Sequence, residues 1–305
     1  MTGVNGSRLR IATRSSAQAR TQAEIVGASI EFANPGVRVE LVFVETLGDQ
    51  RQDVALHTIG GQGVFVKEVQ RAVLLGNADL AVHSAKDLPS TPADGLTIAA
   101  FTERRDPRDA LVGSTLDGLR LGATVASGSV RRRAQLRVIR PDLQFVELRG
   151  NIHTRLTKVP DGGAIVIAVA ALHILGLEDR IDEIMADDVM VPAVGQGCVA
   201  VECHTDDAKT AVALAAIDHP PTRRAVVTER AFLAELGSGC SLPIGAHVAA
   251  GHLTAFLAGD HEAGSARALQ TTVRLGTDWT LTAVETARSM LAEISRADPA
   301  RRAPA

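Results

Sequence analysis

Apolar and polar positions divide the chain into strands and helices in a regular order. Residues 9–13 form a short apolar strand, and Arg14, Ser15 and Ser16 open a helix running to about residue 32. Asn34, Pro35 and Gly36 stop it. Residues 37–44 alternate and are β-branched, which predicts a second strand. Val66, Val69 and Val73 lie at helical spacing within 64–75, and Gly76 ends that helix. Residues 78–82 read as a buried strand leading into His83-Ser84-Ala85-Lys86-Asp87.

The rhythm restarts near Thr102. Strands are predicted over 110–112, 121–125, 143–148 and 164–168, with helices after the second, third and fourth. Residues 189–202 contain a returning strand and 206–217 a helix, and His219-Pro220-Pro221-Thr222 reads as a linker. A helix over 223–236, strands over 245–249, 253–257 and 268–274, and a helix over 281–294 complete the chain. A βαβαβ rhythm run twice predicts two α/β halves followed by a small α+β domain. The expected division is 1–101 with 203–218, then 102–202, then 222–305.

Composition narrows the function classes. The chain has 305 residues, 46% of them hydrophobic and 22% charged, with a net charge of −3. That is ordinary for a soluble protein and gives no basic field to draw in nucleic acid. With no Tyr and one Trp, platforms for stacking bases are scarce. No stretch is apolar enough to span a membrane, and residues 1–8 lack the apolar run of a signal peptide. Cys198, Cys203 and Cys240 form no C-x-x-C pair, and no His/Cys spacing suits a metal. A cytoplasmic setting is expected.

The chemistry-bearing residues gather at strand-to-helix turns. Arg14 and Ser16 occupy one turn, and Ser127, Ser129, Arg131 and Arg132 another. Arg149 and Arg155 follow a third strand. Such turns collect free N–H groups and seat anions, and arginine offers paired donors to carboxylates. Lys86 and Asp87 follow a strand end, where a cation and a proton-handling carboxylate suit a ligand cleft. Cys240 lies in a Gly-Ser-Gly-Cys-Ser loop that exposes its thiol for covalent attachment. The alternatives are solvated ion pairs for the arginines and a packing role for the thiols.

Eight stretches in order resemble the hydroxymethylbilane synthase (porphobilinogen deaminase) family. They are Ile11-Ala-Thr-Arg14-Ser-Ser16, Gly61-Gln-Gly-Val-Phe-Val-Lys-Glu68, Ala81-Val-His-Ser-Ala-Lys-Asp-Leu-Pro89 and Asp106-Pro-Arg-Asp-Ala110. The others are Ser127-Gly-Ser-Val-Arg-Arg132, Leu148-Arg-Gly-Asn151 with Arg155, Pro192-Ala-Val-Gly-Gln-Gly197, and Gly239-Cys240 with Pro243-Ile-Gly245. The resemblance implies two domains like type II periplasmic binding proteins plus a third bearing the cysteine. It implies a transferase of heme biosynthesis that joins four porphobilinogen units head to tail, releasing ammonia each time, on a dipyrromethane primer held as a thioether by Cys240.

By the same resemblance, Asp87 is the catalytic carboxylate. Lys86, Ser84, Ser127, Ser129, Arg131 and Arg132 hold the primer. Arg14, Ser16, Gln22, Arg149, Arg155 and Gln196 line the substrate side, and Gln62 and Phe65 belong to a mobile loop. Arg133 is expected to face solvent. The family usually has arginine where Ile174 stands, and His173 is the neighbour that could stand in for it. Porphobilinogen is the only partner expected, with a monomeric protein and no metal, nucleic acid or membrane. The rival reading is a divergent member, non-catalytic or slow, that binds polycarboxylates on a solute-receptor-like fold.

Overall fold

The computed structural model describes residues 8–45, 66–237, 243–259 and 267–297. The first α/β unit begins with β1 (Arg8–Arg14), α1 (Ala17–Ala33) and β2 (Arg38–Val44), then α2 (Lys67–Leu74), β3 (Leu80–Ser84) and β4 (Leu96–Phe101). The second holds β5 (Asp109–Val112), β6 (Thr124–Ala126), α3 (Val130–Ile139), β7 (Gln144–Val146), α4 (Ile152–Leu156), β8 (Ala164–Ala168), α5 (Val169–His173) and β9 (Glu183–Ile184). The chain then returns through β10 (Val199–His204) and α6 (Ala208–Ala215). The third unit is α7 (Pro220–Glu235), β11 (Ile244–Ala249), β12 (His252–Ala258), β13 (Ala268–Arg274) and α8 (Trp279–Ala297).

Two five-stranded sheets share one plan. Their orders are β2-β1-β3-β10-β4 and β7-β6-β8-β5-β9. In the first, β1 runs parallel to β2 and β3, whereas β10 is antiparallel to β3 and β4. In the second, β6 runs parallel to β7 and β8, and β5 is antiparallel to β8 and β9. Each sheet thus takes its one antiparallel strand from a crossover, β5 on the way out and β10 on the way back. This is the type II binding-protein arrangement expected above. The third sheet is an antiparallel meander, β11-β12-β13, packed on α7 and α8.

Burial explains the layers. Ile11 and Leu80 from the first sheet meet Ile30 of α1 with no exposure, and Leu111, Val125 and Leu136 do the same in the second. Each such side chain contributes about 1.5–3 kcal/mol by leaving water. The third unit has its own core of Phe232, Leu253, Leu257, Ala283 and Met290.

Three expectations need correction. Residues 96–101 form β4, which the apolar pattern did not single out. Pro220 and Pro221 are the first residues of α7 and not a linker before it, because a helix start needs no N–H from them. The returning strand already pairs with β3 from Val199, ahead of the boundary expected at 203.

The two crossovers lie side by side. Thr102 N–H donates to Val199 O at 3.0 Å, and Arg105 N–H to Gly197 O at 2.8 Å. Gly197 makes this approach possible. Its φ is +85°, and a Cβ there would sit 2.6 Å from Arg105 O.

Candidate active site

The expected site residues stand at the carboxyl ends of parallel strands, where ligands enter α/β sheets. β1 ends at Arg14, and Ser16 caps α1 by accepting the Ala19 N–H at 3.4 Å. Gln22 lies on that helix and accepts the Ser84 hydroxyl at 3.1 Å. β3 ends in a short 3-10 turn, Ala85–Asp87, that carries Lys86 and Asp87. The turn is tied to the return crossover by Ala85 N–H donating to Cys198 O at 2.9 Å.

In the second unit, β6 leads to Ser127, whose hydroxyl accepts the Ser129 N–H at 3.2 Å. Ser129 in turn caps α3 through the Arg132 N–H at 3.4 Å. β7 leads to Arg149, and Arg155 on α4 donates its Nε to Gly150 O at 2.7 Å.

Beneath this cleft runs a buried polar chain. The Lys86 ammonium donates to Gln196 Oε1 at 3.2 Å. Gln196 Nε2 donates to Asp109 Oδ1 at 2.9 Å and to Pro107 O at 2.7 Å. Asp109 also accepts Arg132 Nη2 and Arg131 Nη2, each at 2.7 Å. Arg131 reaches Val191 O at 2.6 Å, and Arg132 reaches Val166 O at 2.9 Å.

Arg131 and Arg132 are therefore not side chains waiting in the open. They are 5% and 7% exposed, and Arg131 is braced between β5 and the return crossover. Arg133 pairs with Glu147 at the surface through Nη2 and also clamps the serine turn, its Nε donating to Ser127 O, both at 2.5 Å. Gln196, expected to line the substrate side, is 1% exposed and links Lys86 to Asp109.

The electrostatics mark the cleft as short of negative charge. Burial and the neighbouring Arg132 bring Lys86 down from the ordinary 10.5 to about 8, although Asp87 and Asp109 pull the other way. Burial, then Arg132, Arg149 and Arg14, bring Arg155 down to about 10, with Asp87 opposing. Asp87 and Arg132 thus each act on both Lys86 and Arg155, with opposite sign, and Arg14 and Arg149 act on Arg155 as well. Burial opposes ionisation of Asp109, but the charges of Arg131 and Arg132 hold it well below the usual carboxylate range. Such a set suits a ligand with several carboxylates. Among the described residues no group of His, Cys, Asp and Glu could hold a metal ion.

Cys240, Gln62 and Phe65 lie outside the described residues. Cys198 and Cys203 are buried, and burial pushes their thiols up to about 12 and about 11, which leaves them unreactive. Burial opposes ionisation of the Asp106 carboxyl, but Arg108 and, least, His173 lower it.

Sequence reasoning missed three buried carboxylates. Asp109 opens a wholly apolar strand, Ala110 to Val112, and an acid in that position signals a buried pair. Glu229 on α7 accepts Arg104 Nη1 at 2.5 Å, Gly195 N–H at 2.8 Å and Val248 N–H at 2.8 Å. It joins both crossovers to the third unit. Glu202 on β10 faces His83 Nε2 at 3.1 Å and accepts Gln70 Nε2 at 2.9 Å, which braces β3 and α2 behind the Lys86 turn.

Known proteins match along most of the chain. Residues 9–212 fit the family model described as porphobilinogen deaminase, dipyromethane cofactor binding domain, and residues 224–258 fit its C-terminal domain. A porphobilinogen deaminase of Roseiflexus castenholzii is 47% identical over 243 residues, 78% of this chain and 80% of the relative. One of Geobacter sulfurreducens is 43% identical over 245 residues, 79% of this chain and 77% of the relative. Among solved structures, the methionine binding protein MetQ covers 73% of this chain and 93% of its own at a TM-score of 0.45 and 13% identity. The matched span takes in every strand-end turn that builds the cleft, and the chain belongs to the porphobilinogen deaminase family.

Proposed function

We propose that this chain is a hydroxymethylbilane synthase, joining four porphobilinogen units with release of ammonia on a dipyrromethane primer bound through Cys240. One observation carries the reading. Half-buried, mutually repelling cations share the Asp87 carboxylate, and Lys86 and Arg155 sit well below their ordinary pKa values. Holding such charges together opposes folding, and a polycarboxylate relieves the repulsion. Pyrrole units bearing acetate and propionate arms supply that charge, so the residues present fit the primer.

When bound, the primer supplies the pyrrole carbon that the next unit joins. The chain's own residues do the rest. Lys86, Arg132, Ser127 and Ser129 hold carboxylates on the primer side, with Ser84 oriented by Gln22. Arg14, Ser16, Arg149 and Arg155 receive the incoming unit. Asp87 stabilises the cation left on porphobilinogen when ammonia departs and holds the pyrrole N–H proton. A polycarboxylate receptor without turnover has no use for a carboxylate among its cations. We take the enzyme to act in the cytoplasm as a monomer of three domains; free thiols at Cys198 and Cys203 suit a reducing compartment. No helix among the described residues is long and apolar enough to cross a membrane.

Intact mass spectrometry tests the reading. The purified chain should exceed its sequence mass by one dipyrromethane, and Cys240→Ala should not. Asp87→Ala should keep its fold by circular dichroism and lose at least a hundredfold in ammonia release. An unmodified wild-type chain that consumes no porphobilinogen would end the enzyme reading, and near-normal turnover in Asp87→Ala would end that residue's role.

A further inference from the structure

We propose that Asp109 is a positioning residue for the reaction, whose buried carboxylate aims the Arg132 guanidinium and, through Gln196, the Lys86 ammonium at an anionic chain in the cleft. The inference rests on the function proposed above. Asp109 has no exposed surface and never meets the ligand itself.

Its two oxygens do separate jobs. Oδ1 accepts Arg132 Nε at 3.0 Å, Arg132 Nη2 at 2.7 Å and Gln196 Nε2 at 2.9 Å. Oδ2 accepts Arg131 Nη2 at 2.7 Å. Val166 O and Val191 O hold the far ends of the two guanidiniums. A planar fork fixed at both ends cannot swing, so Arg132 enters the cleft wall in one orientation. Gln196 spends its amide N–H groups on Asp109 and Pro107, which leaves Oε1 turned to the Lys86 ammonium. Without an acceptor at 109 the amide is free to flip and set its N–H groups against that ammonium.

The charge balance has the same sense. Lys86 is faced by Arg131 and Arg132 from α3, by Asp109 from β5 and by Asp87 on its own turn. The arginines disfavour its proton, and both carboxylates favour it. Neutralising Asp109 removes one of the two favouring charges, so Lys86 should lose its proton at lower pH.

The chain has only four lysines, so selective carbon-13 labelling at the lysine ε position gives four NMR signals to follow against pH. The Lys86→Arg variant identifies the Lys86 signal. Wild type, Asp109→Asn and Asp109→Glu are compared in the full chain, with the primer content of each matched by intact mass. The expected result is a Lys86 midpoint about one pH unit lower in Asp109→Asn and unmoved in Asp109→Glu. In parallel, kcat/KM at pH 7.5 should fall about a hundredfold in Asp109→Asn, with part of the loss recovered in Asp109→Glu. A packing role alone would lower activity in both variants and leave the midpoint in place, which would overturn the proposal.

If Asp109→Asn does not fold, Gln196→Leu cuts the same link while leaving Asp109 with its arginines. It should lower the midpoint in the same direction, and an unmoved midpoint there would overturn the proposal equally. Primer content and turnover of the wild type test the function itself, and the midpoint tests Asp109.

Discussion

Replacing Glu229 with glutamine should loosen the joint between the third unit and both crossovers. The carboxylate has no exposed side-chain surface, and its Arg104 partner is 11% exposed. Burial opposes its charge, yet Arg104 and His247 bring it from the ordinary 4.5 down to about 2. At about 1.4 kcal/mol per pH unit, that depression is worth about 3 kcal/mol. The stabilisation is complete above pH 4.5 and disappears as pH falls through about 2. A second route gives a similar size, since breaking one side of a buried ion pair costs about 3–5 kcal/mol. Glutamine keeps the volume and one oxygen, so Gly195 N–H or Val248 N–H keeps an acceptor while Arg104 loses its counter-charge.

Urea unfolding followed by two signals measures the effect. Trp279, the single tryptophan, opens α8 and lies 3.7 Å under Arg224, so its fluorescence reports the third unit. Far-ultraviolet circular dichroism reports the whole chain. Glu229→Gln should lose about 3 kcal/mol at pH 7, with the fluorescence transition moving first and the two signals separating. At pH 2.5 the gap from wild type should shrink to below about 1 kcal/mol. Adding Arg104→Met to Glu229→Gln should recover part of the loss, because no lone charge then stays buried. A loss under about 1 kcal/mol at pH 7, or coincident transitions, would refute the account of Glu229 as the joint.

Two further substitutions probe the support of the Lys86 turn. Gly195 has φ +69°, and a Cβ there would lie 3.0 Å from Ala85 Cβ and 3.3 Å from Lys86 N. Gly195→Ala should therefore push the Lys86–Asp87 turn, lowering kcat about tenfold or more and stability by about 1–3 kcal/mol; unchanged kcat would show that the turn tolerates displacement. Glu202→Gln leaves the buried His83 facing an amide, and thermal unfolding should report a loss of about 2–3 kcal/mol at pH 7. A melting curve like that of wild type would show that Gln70 and His83 do not depend on the charge.

What could be read from the sequence follows from how local each feature is. α1 announces itself through Ser16 at its start and Asn34-Pro35-Gly36 at its end, and both signals act within a few residues. β4 is different. Leu-Thr-Ile-Ala-Ala-Phe neither alternates cleanly nor carries a stop, and it is a strand because β10, a hundred residues away, supplies its partner. The arginines of α3 show the same limit at the site. Three consecutive side chains on one helical turn point in three directions, so position alone cannot say which meets a ligand. The partners decide: Asp109 and Val191 take Arg131, Asp109 and Val166 orient Arg132, and Ser127 O with Glu147 takes Arg133. Residue type at a strand end points to the cleft, since ligands enter open α/β sheets at the carboxyl ends of their strands. How its charge is apportioned was not legible, because Asp109, which has no exposed surface, comes from a strand delivered by the first crossover. A cleft built this way has two of its arginines held in line by a carboxylate that belongs to the connection between units, so their orientation is set by chain more than twenty residues away.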